Sequence, residues 1–330
     1  MIPFETNRSF LPARADWRRD AVGAGLLLVL TLGLLIWWRP GMLLHLSEVA
    51  KPMAGRELLV ALAMLIALRL GVIDLSVWVL AGLSALIAGG LLNAGVAPWV
   101  ATLLTVLAGA LVGLLKSQLV RIPGVPAVVV MLAVAVVAWV VGRMVCPEGL
   151  SIGVDTFQPW LMTREVFGTV VTLPLSMTRI LLVLGGFLLS MTVCLGLLTR
   201  DAVPIGAFRS AAGLTFAGAL IGLAGVCQLL DSHVALAPQE IIGDFRVLAA
   251  VVLAGGALFV GPGRDRLVGL LLPVGLLAAT LWEFLFADWG RAGYEWEVLV
   301  LTVGAIGIQL ILRTILRGAE QPPAILTKTF

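Results

Sequence analysis

A single carboxylate interrupts a long apolar run and is the first candidate for chemistry. Asp74 lies within residues 58–92, which are otherwise mostly apolar apart from Arg69. A charged side chain at the centre of a bilayer costs roughly 2.5–3.5 kcal/mol on insertion scales unless it is paired or faces water. Two interpretations follow. Asp74 caps the helix that begins after it, with Arg69 as counter-ion, or it lines a polar route together with Ser76 and Trp78.

A second carboxylate, Glu283, is flanked by Trp282 and Phe284 near the end of another apolar stretch. A carboxylate accepts hydrogen bonds from sugar hydroxyls, while an indole ring covers the C–H face of the sugar. Trp282 and Glu283 are therefore the best solute-facing pair in the sequence. The alternative is an acid at the membrane interface beside a belt tryptophan.

Catalytic and metal-binding patterns are missing from the sequence. The three cysteines are scattered, and the two histidines are far apart with no HExxH-type neighbours. The stretch Gly113–Ser117 (GLLKS) has some likeness to a phosphate loop, but it has no glycine directly before Lys116 and lies in an apolar helix. We therefore predict no enzyme activity, no metal and no bound cofactor for this chain, and we expect Lys116 and Arg121 to extend towards lipid headgroups.

The composition is that of a protein embedded in lipid. Of 330 residues, 60% are apolar and 12% are charged, against about 45–50% and 25% in ordinary soluble domains. Soluble enzymes, secreted disulfide scaffolds and disordered linkers are excluded. The net charge of +3 and the absence of basic runs with aromatic residues also predict no nucleic-acid partner.

Hydropathy predicts an all-α, polytopic membrane protein of about ten spans, with a broken helix near Asp74. A cytoplasmic segment (1–20) precedes the membrane domain (21–316), and a cytoplasmic tail (317–330) follows it. Glycines at helical spacing, Gly218, Gly222 and Gly225, predict close helix packing. The predicted spans are 21–38, 58–70, 75–93, 98–115, 126–146, 178–198, 211–230, 246–260, 267–286 and 298–316.

The distribution of charge predicts that both termini are cytoplasmic. With this orientation, thirteen basic and six acidic residues fall inside, whereas eight basic and eleven acidic residues fall outside. The excess of basic residues on the cytoplasmic side follows the positive-inside rule. Six tryptophans also fall near the outer interface, as expected of amphipathic rings.

The residues around Asp74 carry a family resemblance. The string Gly71–Val77 (GVIDLSV) resembles the GGIDLSVG signature of the permease subunits of bacterial ABC importers for ribose and other monosaccharides. Three further stretches resemble motifs of the same family, in the same order. They are 113–120 with the prolines at 123 and 126, the glycine-rich helix 218–225, and 249–263 (AAVVLAGGALFVGPG).

The resemblance implies a transport subunit in the bacterial inner membrane. Separate ATPase subunits would bind ATP and Mg²⁺, a periplasmic binding protein would deliver the solute, and a second permease would complete the route. The inner loop 199–210 is shorter than in the family, so we expect the second permease to be a paralogue. The residues expected to contact the ATPase are Thr199, Arg200, Asp201, Pro204, Arg209 and Arg264; the alternative for the loop 199–210 is a plain connecting turn.

Two alternatives remain open. An ion-coupled secondary transporter would use Asp74 or Glu283 to carry protons and would need no ATPase. A membrane scaffold would carry no solute at all.

Overall fold

The computed structural model describes residues 56–152, 163–166, 169–172, 183–189, 207–232, 234–235 and 242–254, together with 272–273, 275–276 and 279. The protein is mostly helical, as predicted. Six helices are bounded as follows: α1 Arg56–Arg69, α2 Val77–Asn93, α3 Pro98–Leu119, α4 Ala127–Val145, α5 Ala207–Ser232 and α6 Ile242–Leu253. Residues 183–189 are also helical.

The predicted break near Asp74 is confirmed, because the apolar run 58–92 forms two helices. Helix α1 ends at Arg69, and α2 begins at Val77. Between them Gly71 adopts a φ of +79°, a left-handed conformation that residues with a Cβ rarely take. The backbone therefore turns away from the helix path directly before Asp74.

Helix α1 lies in the interior of the bundle. Every residue from Leu58 to Ala67 is buried, so the helix has no polar face and no exposed stripe. A helix that is apolar all round is stable only when other elements surround it. Helices α2, α5 and α6 pack against it.

Within the described part of the chain, three helices are long and apolar enough to cross a membrane: Pro98–Leu119, Ala127–Val145 and Ser210–Ser232. Helices α3 and α4 each bury a narrow stripe of mostly small residues and expose large apolar side chains on the remaining surface. Exposure of such a surface to water costs free energy, whereas exposure to lipid hydrocarbon does not. This pattern supports the prediction of a membrane protein. The exposed side chains of α3 are Trp99, Val100, Leu103, Leu104, Leu107, Leu111, Leu114 and Leu115.

Glycines bring α3 and α5 into backbone contact. A methyl group at Gly109 would meet the carbonyl oxygen of Gly218, and one at Gly222 would lie 2.7 Å from the carbonyl oxygen of Thr105. Gly225 makes a similar approach to Ala81 of α2. The predicted packing role of these glycines is confirmed, and it operates between helices of one chain.

We expect Gly218→Ala to destabilise the bundle by about 1–3 kcal/mol, because the new methyl group would overlap the carbonyl of Gly109. The thermal unfolding midpoint of the purified protein in detergent measures this effect. Gly90→Ala is the matched control. No atom lies within 4 Å of its added methyl group, so its midpoint should stay the same or rise. Equal midpoints for the two variants would contradict the assigned contact.

The protein also contains short strands, which the all-α prediction did not include. Strand β1 (Leu150–Ser151) pairs with β4 (Val234–Ala235), and β2 (Thr163–Val166) pairs with β3 (Thr169–Thr172), both antiparallel. The β1–β4 pair joins the segment after α4 to the end of α5. Strands β1 and β4 have two residues each and carry no periodic signal, and β2 and β3, with four residues each, are at the lower limit of one, so hydropathy alone does not reveal them.

Candidate functional site

The break between α1 and α2 positions the polar residues. Leu70, Gly71 and Val72 donate their backbone N–H groups to carbonyls of the last turns of α1, which closes that helix. Val72 is buried, and Ile73 is exposed. The next residue, Asp74, then lies inside the bundle with no exposed surface.

Asp74, Ser76 and Lys116 form a buried group that we call the break cluster. The ammonium of Lys116 donates to Oδ2 of Asp74 and to Oγ of Ser76, the latter at 3.0 Å. The Oδ1 atom of Asp74 accepts the hydroxyl of Ser76 at 2.6 Å and its backbone N–H at 3.1 Å. Lys116 is 1% exposed, and the other two are 0% exposed. The two charges therefore neutralise each other inside an apolar bundle.

The prediction that Lys116 extends to the headgroups is wrong. Lys116 continues the buried stripe of α3, following Gly109 and Gly113 at helical spacing. The glycines bring this face of α3 close to α5, so the lysine stem enters the bundle and not the lipid. The stripe is visible in the sequence and is the signal that identifies Lys116 as an inward-facing residue.

The sequence offers Arg69 as counter-ion of Asp74, but the ammonium of Lys116 takes that place. The predicted capping role is also divided between two acids. Asp74 accepts the N–H of Ser76, the residue before α2. The N–H of Trp78, in the first turn of α2, donates to Oδ1 of Asp244 at 2.7 Å.

Sequence reasoning missed Asp244 and counted it among the outer charges. Its side chain is 0% exposed, and its Oδ2 atom has no hydrogen-bond partner among the described residues. Asp244 lies near the start of α6, directly after Gly243, whose lack of a side chain leaves room for the Trp78 ring. The Gly243–Asp244 pair is the only local hint of this contact in the sequence.

Trp78 connects the start of α2 to two arginines. The guanidinium carbon of Arg56 lies 4.5 Å from the ring centroid, and that of Arg246 lies 5.6 Å away. Glu57 is close to both cations: its Oε1 atom is 3.6 Å from Nε of Arg56 and 3.5 Å from Nη2 of Arg246. We call these four residues the arginine cluster. Unlike the break cluster, its charged side chains keep 14–28% of their surface exposed.

Of the residues predicted to line a route, the structure brings Asp74 and Ser76 together and places Trp78 two residues after Ser76, in the first turn of α2. Arg209 lies in the first turn of α5. The remaining predicted residues lie outside the described part of the chain, and their roles stay predictions. They are Trp282, Glu283, Thr199, Arg200, Asp201, Pro204 and Arg264.

The two clusters supply polar groups of distinct chemistry. In the break cluster a hydroxyl and an ion pair satisfy one another within the bundle, whereas the arginine cluster holds partly exposed guanidinium groups beside an aromatic ring. Among the described residues, His, Cys, Asp and Glu form no group of three that could hold a metal ion. The sequence matches no protein-family model, and comparison with curated proteins and with solved structures gives no significant match.

Proposed function

We propose that the chain is a permease subunit of a bacterial ABC importer and provides a route for a sugar or a related small polar solute. The observation that supports this most is the break cluster. The GVIDLSV string, which resembles the family signature, coincides with a broken helix whose acidic residue is buried and paired. Broken helices with polar groups inside a bundle often form transport sites in membrane proteins.

In this proposal, the solute passes beside the start of α2, where Ser76 and Trp78 lie. Trp282 and Glu283 contribute a second contact near the outer end of the route. The loop 199–210 and Arg264 transmit the conformational change of a separate ATPase, which binds ATP and Mg²⁺. A paralogous permease and a periplasmic binding protein complete the assembly in the inner membrane, and both termini of this chain are cytoplasmic.

The test measures whether ATP hydrolysis drives uptake of the solute that the binding protein delivers. The tagged chain is purified from its native membrane with its bound partners and reconstituted in proteoliposomes with the binding protein. We expect an ATPase subunit to co-purify and uptake to stop when ATP is replaced by a non-hydrolysable analogue. The proposal fails if the chain is recovered alone, or if uptake persists without ATP.

A secondary transporter is the second candidate, because the buried Asp74–Lys116 pair consists of two ionisable groups within the bundle. Protonation of Asp74 would break that ion pair, which is one way to couple a proton to a conformational change. The same proteoliposomes distinguish the two candidates. An uncoupler abolishes uptake by a proton-coupled carrier and leaves ATP-driven uptake intact.

A further inference from the structure

The arginine cluster joins three helices through one aromatic ring. Arg56 begins α1, Arg246 belongs to α6, and Trp78 lies in the first turn of α2. Both guanidinium groups lie within 6 Å of the ring centroid, as in cation–π contacts. Two like charges held beside one ring repel each other, and an anion between them relieves that repulsion.

Glu57 already supplies one carboxylate to this pair of cations. Its Oε1 atom lies 3.5–3.6 Å from one nitrogen of each arginine, which is longer than a strong charge-assisted hydrogen bond. The guanidinium fork is suited to bind both oxygens of a carboxylate at once. The contact with Glu57 is thus a weak form of an interaction that a free carboxylate can make with better geometry.

The cluster is also accessible. The side chains of Arg56 and Arg246 are 28% and 20% exposed, whereas Lys116 of the break cluster is almost completely buried. A partly exposed site with planar guanidinium donors is suited to a carboxylate.

We propose that the arginine cluster binds the carboxylate of the transported solute, which would be an acidic sugar or a similar small polar acid. The carboxylate displaces that of Glu57 from the two guanidinium groups, and Trp78 holds Arg56 in position. That this ligand is the transported solute rests on the proposed function. Binding of the carboxylate needs no partner subunit.

The test compares two sugars that differ at one group. The full chain in lipid nanodiscs is titrated by calorimetry with D-glucuronate and with D-glucose, which carries a hydroxymethyl group in place of the carboxylate. We expect D-glucuronate to bind at least about tenfold more tightly, the effect of one charge-assisted contact. Arg56→Gln should weaken D-glucuronate binding by a similar factor, and Glu57→Gln should strengthen it because the internal competitor loses its charge.

Arg143→Gln is the matched control. Arg143 also lies over a tryptophan, Trp139, but it is an exposed residue at the end of α4. Its substitution should leave the affinity unchanged. Gel filtration identifies any variant that fails to fold, and Arg56→Lys then replaces Arg56→Gln because it keeps the charge and removes the fork.

The inference is overturned if D-glucuronate binds no more tightly than D-glucose, or does not bind at concentrations up to about 10 mM. It is also overturned if Glu57→Gln weakens binding, because the carboxylate of Glu57 would then help the ligand. Binding of D-glucose 6-phosphate without D-glucuronate would assign the cluster to a phosphate instead. None of these results alters the test of ATP-driven uptake, so the two proposals fail separately.

Discussion

Replacement of Lys116 by methionine should prevent the protein from accumulating in a folded form. The change keeps the length of the side chain but leaves the carboxylate of Asp74 buried without a cation. Removal of one partner of a buried ion pair destabilises proteins by about 3–5 kcal/mol, because the remaining charge is uncompensated. The measurement is the yield of monodisperse protein after extraction in detergent.

Removal of the Asp74 charge as well provides the decisive comparison with Lys116→Met. The double variant Asp74→Asn/Lys116→Met removes both charges at nearly constant volume, so it should recover most of the lost yield. Arg121→Met is the control, because Arg121 follows the same helix but is exposed. A Lys116→Met protein as stable as the parent would show that the pair does not hold the break together.

Uptake by the double variant separates the two interpretations of Asp74. If the residue serves only to hold the broken helix, the recovered protein should transport normally. If Asp74 lines the solute route, the protein should assemble and transport poorly. A secondary transporter that depends on Asp74 would lose all proton-coupled uptake in this variant.

The second large effect is expected at Asp244. Asp244→Ala removes the acceptor of the Trp78 N–H and leaves a donor in the first turn of α2 without its partner. Loss of a helix cap costs about 0.5–2 kcal/mol, and an unsatisfied buried donor costs about 1–3 kcal/mol. We therefore expect a clear fall in the thermal unfolding midpoint in detergent.

Asp244→Asn should have a much smaller effect, because the amide keeps an oxygen at the position of Oδ1. The –NH2 group of the amide takes the place of Oδ2, the atom that has no hydrogen-bond partner in the described part of the chain. Glu148→Ala, at an exposed acid after α4, controls for the loss of a negative charge. If the Asn variant is as unstable as the Ala variant, the hydrogen bond that Oδ1 of Asp244 accepts is not what supports α2.

The sequence was sufficient for the features that depend on neighbouring residues. The free energy of transfer from water to lipid is additive over a short window, so hydropathy located the ends of α1 to α5 to within four residues. For α6 the predicted span 246–260 begins four residues late and extends beyond Leu253, where the helix ends. A carboxylate three residues after Gly71, inside an apolar run, indicated the break for the same local reason. The glycines of α5 indicated close packing because their spacing places them on one face of a helix.

Only the tertiary structure decided which polar groups meet. Lys116 is 42 residues from Asp74, and Asp244 is 166 residues from Trp78, so no local pattern connects them. The Lys116–Asp74 contact follows from helix crossings in which glycine backbones allow α3, α5 and α2 to approach closely, and the Asp244–Trp78 contact depends on the space that Gly243 leaves for the indole ring. Hydropathy places the charge within an apolar segment, where a buried charge must be compensated. The partner that compensates it is fixed by the three-dimensional arrangement of the helices.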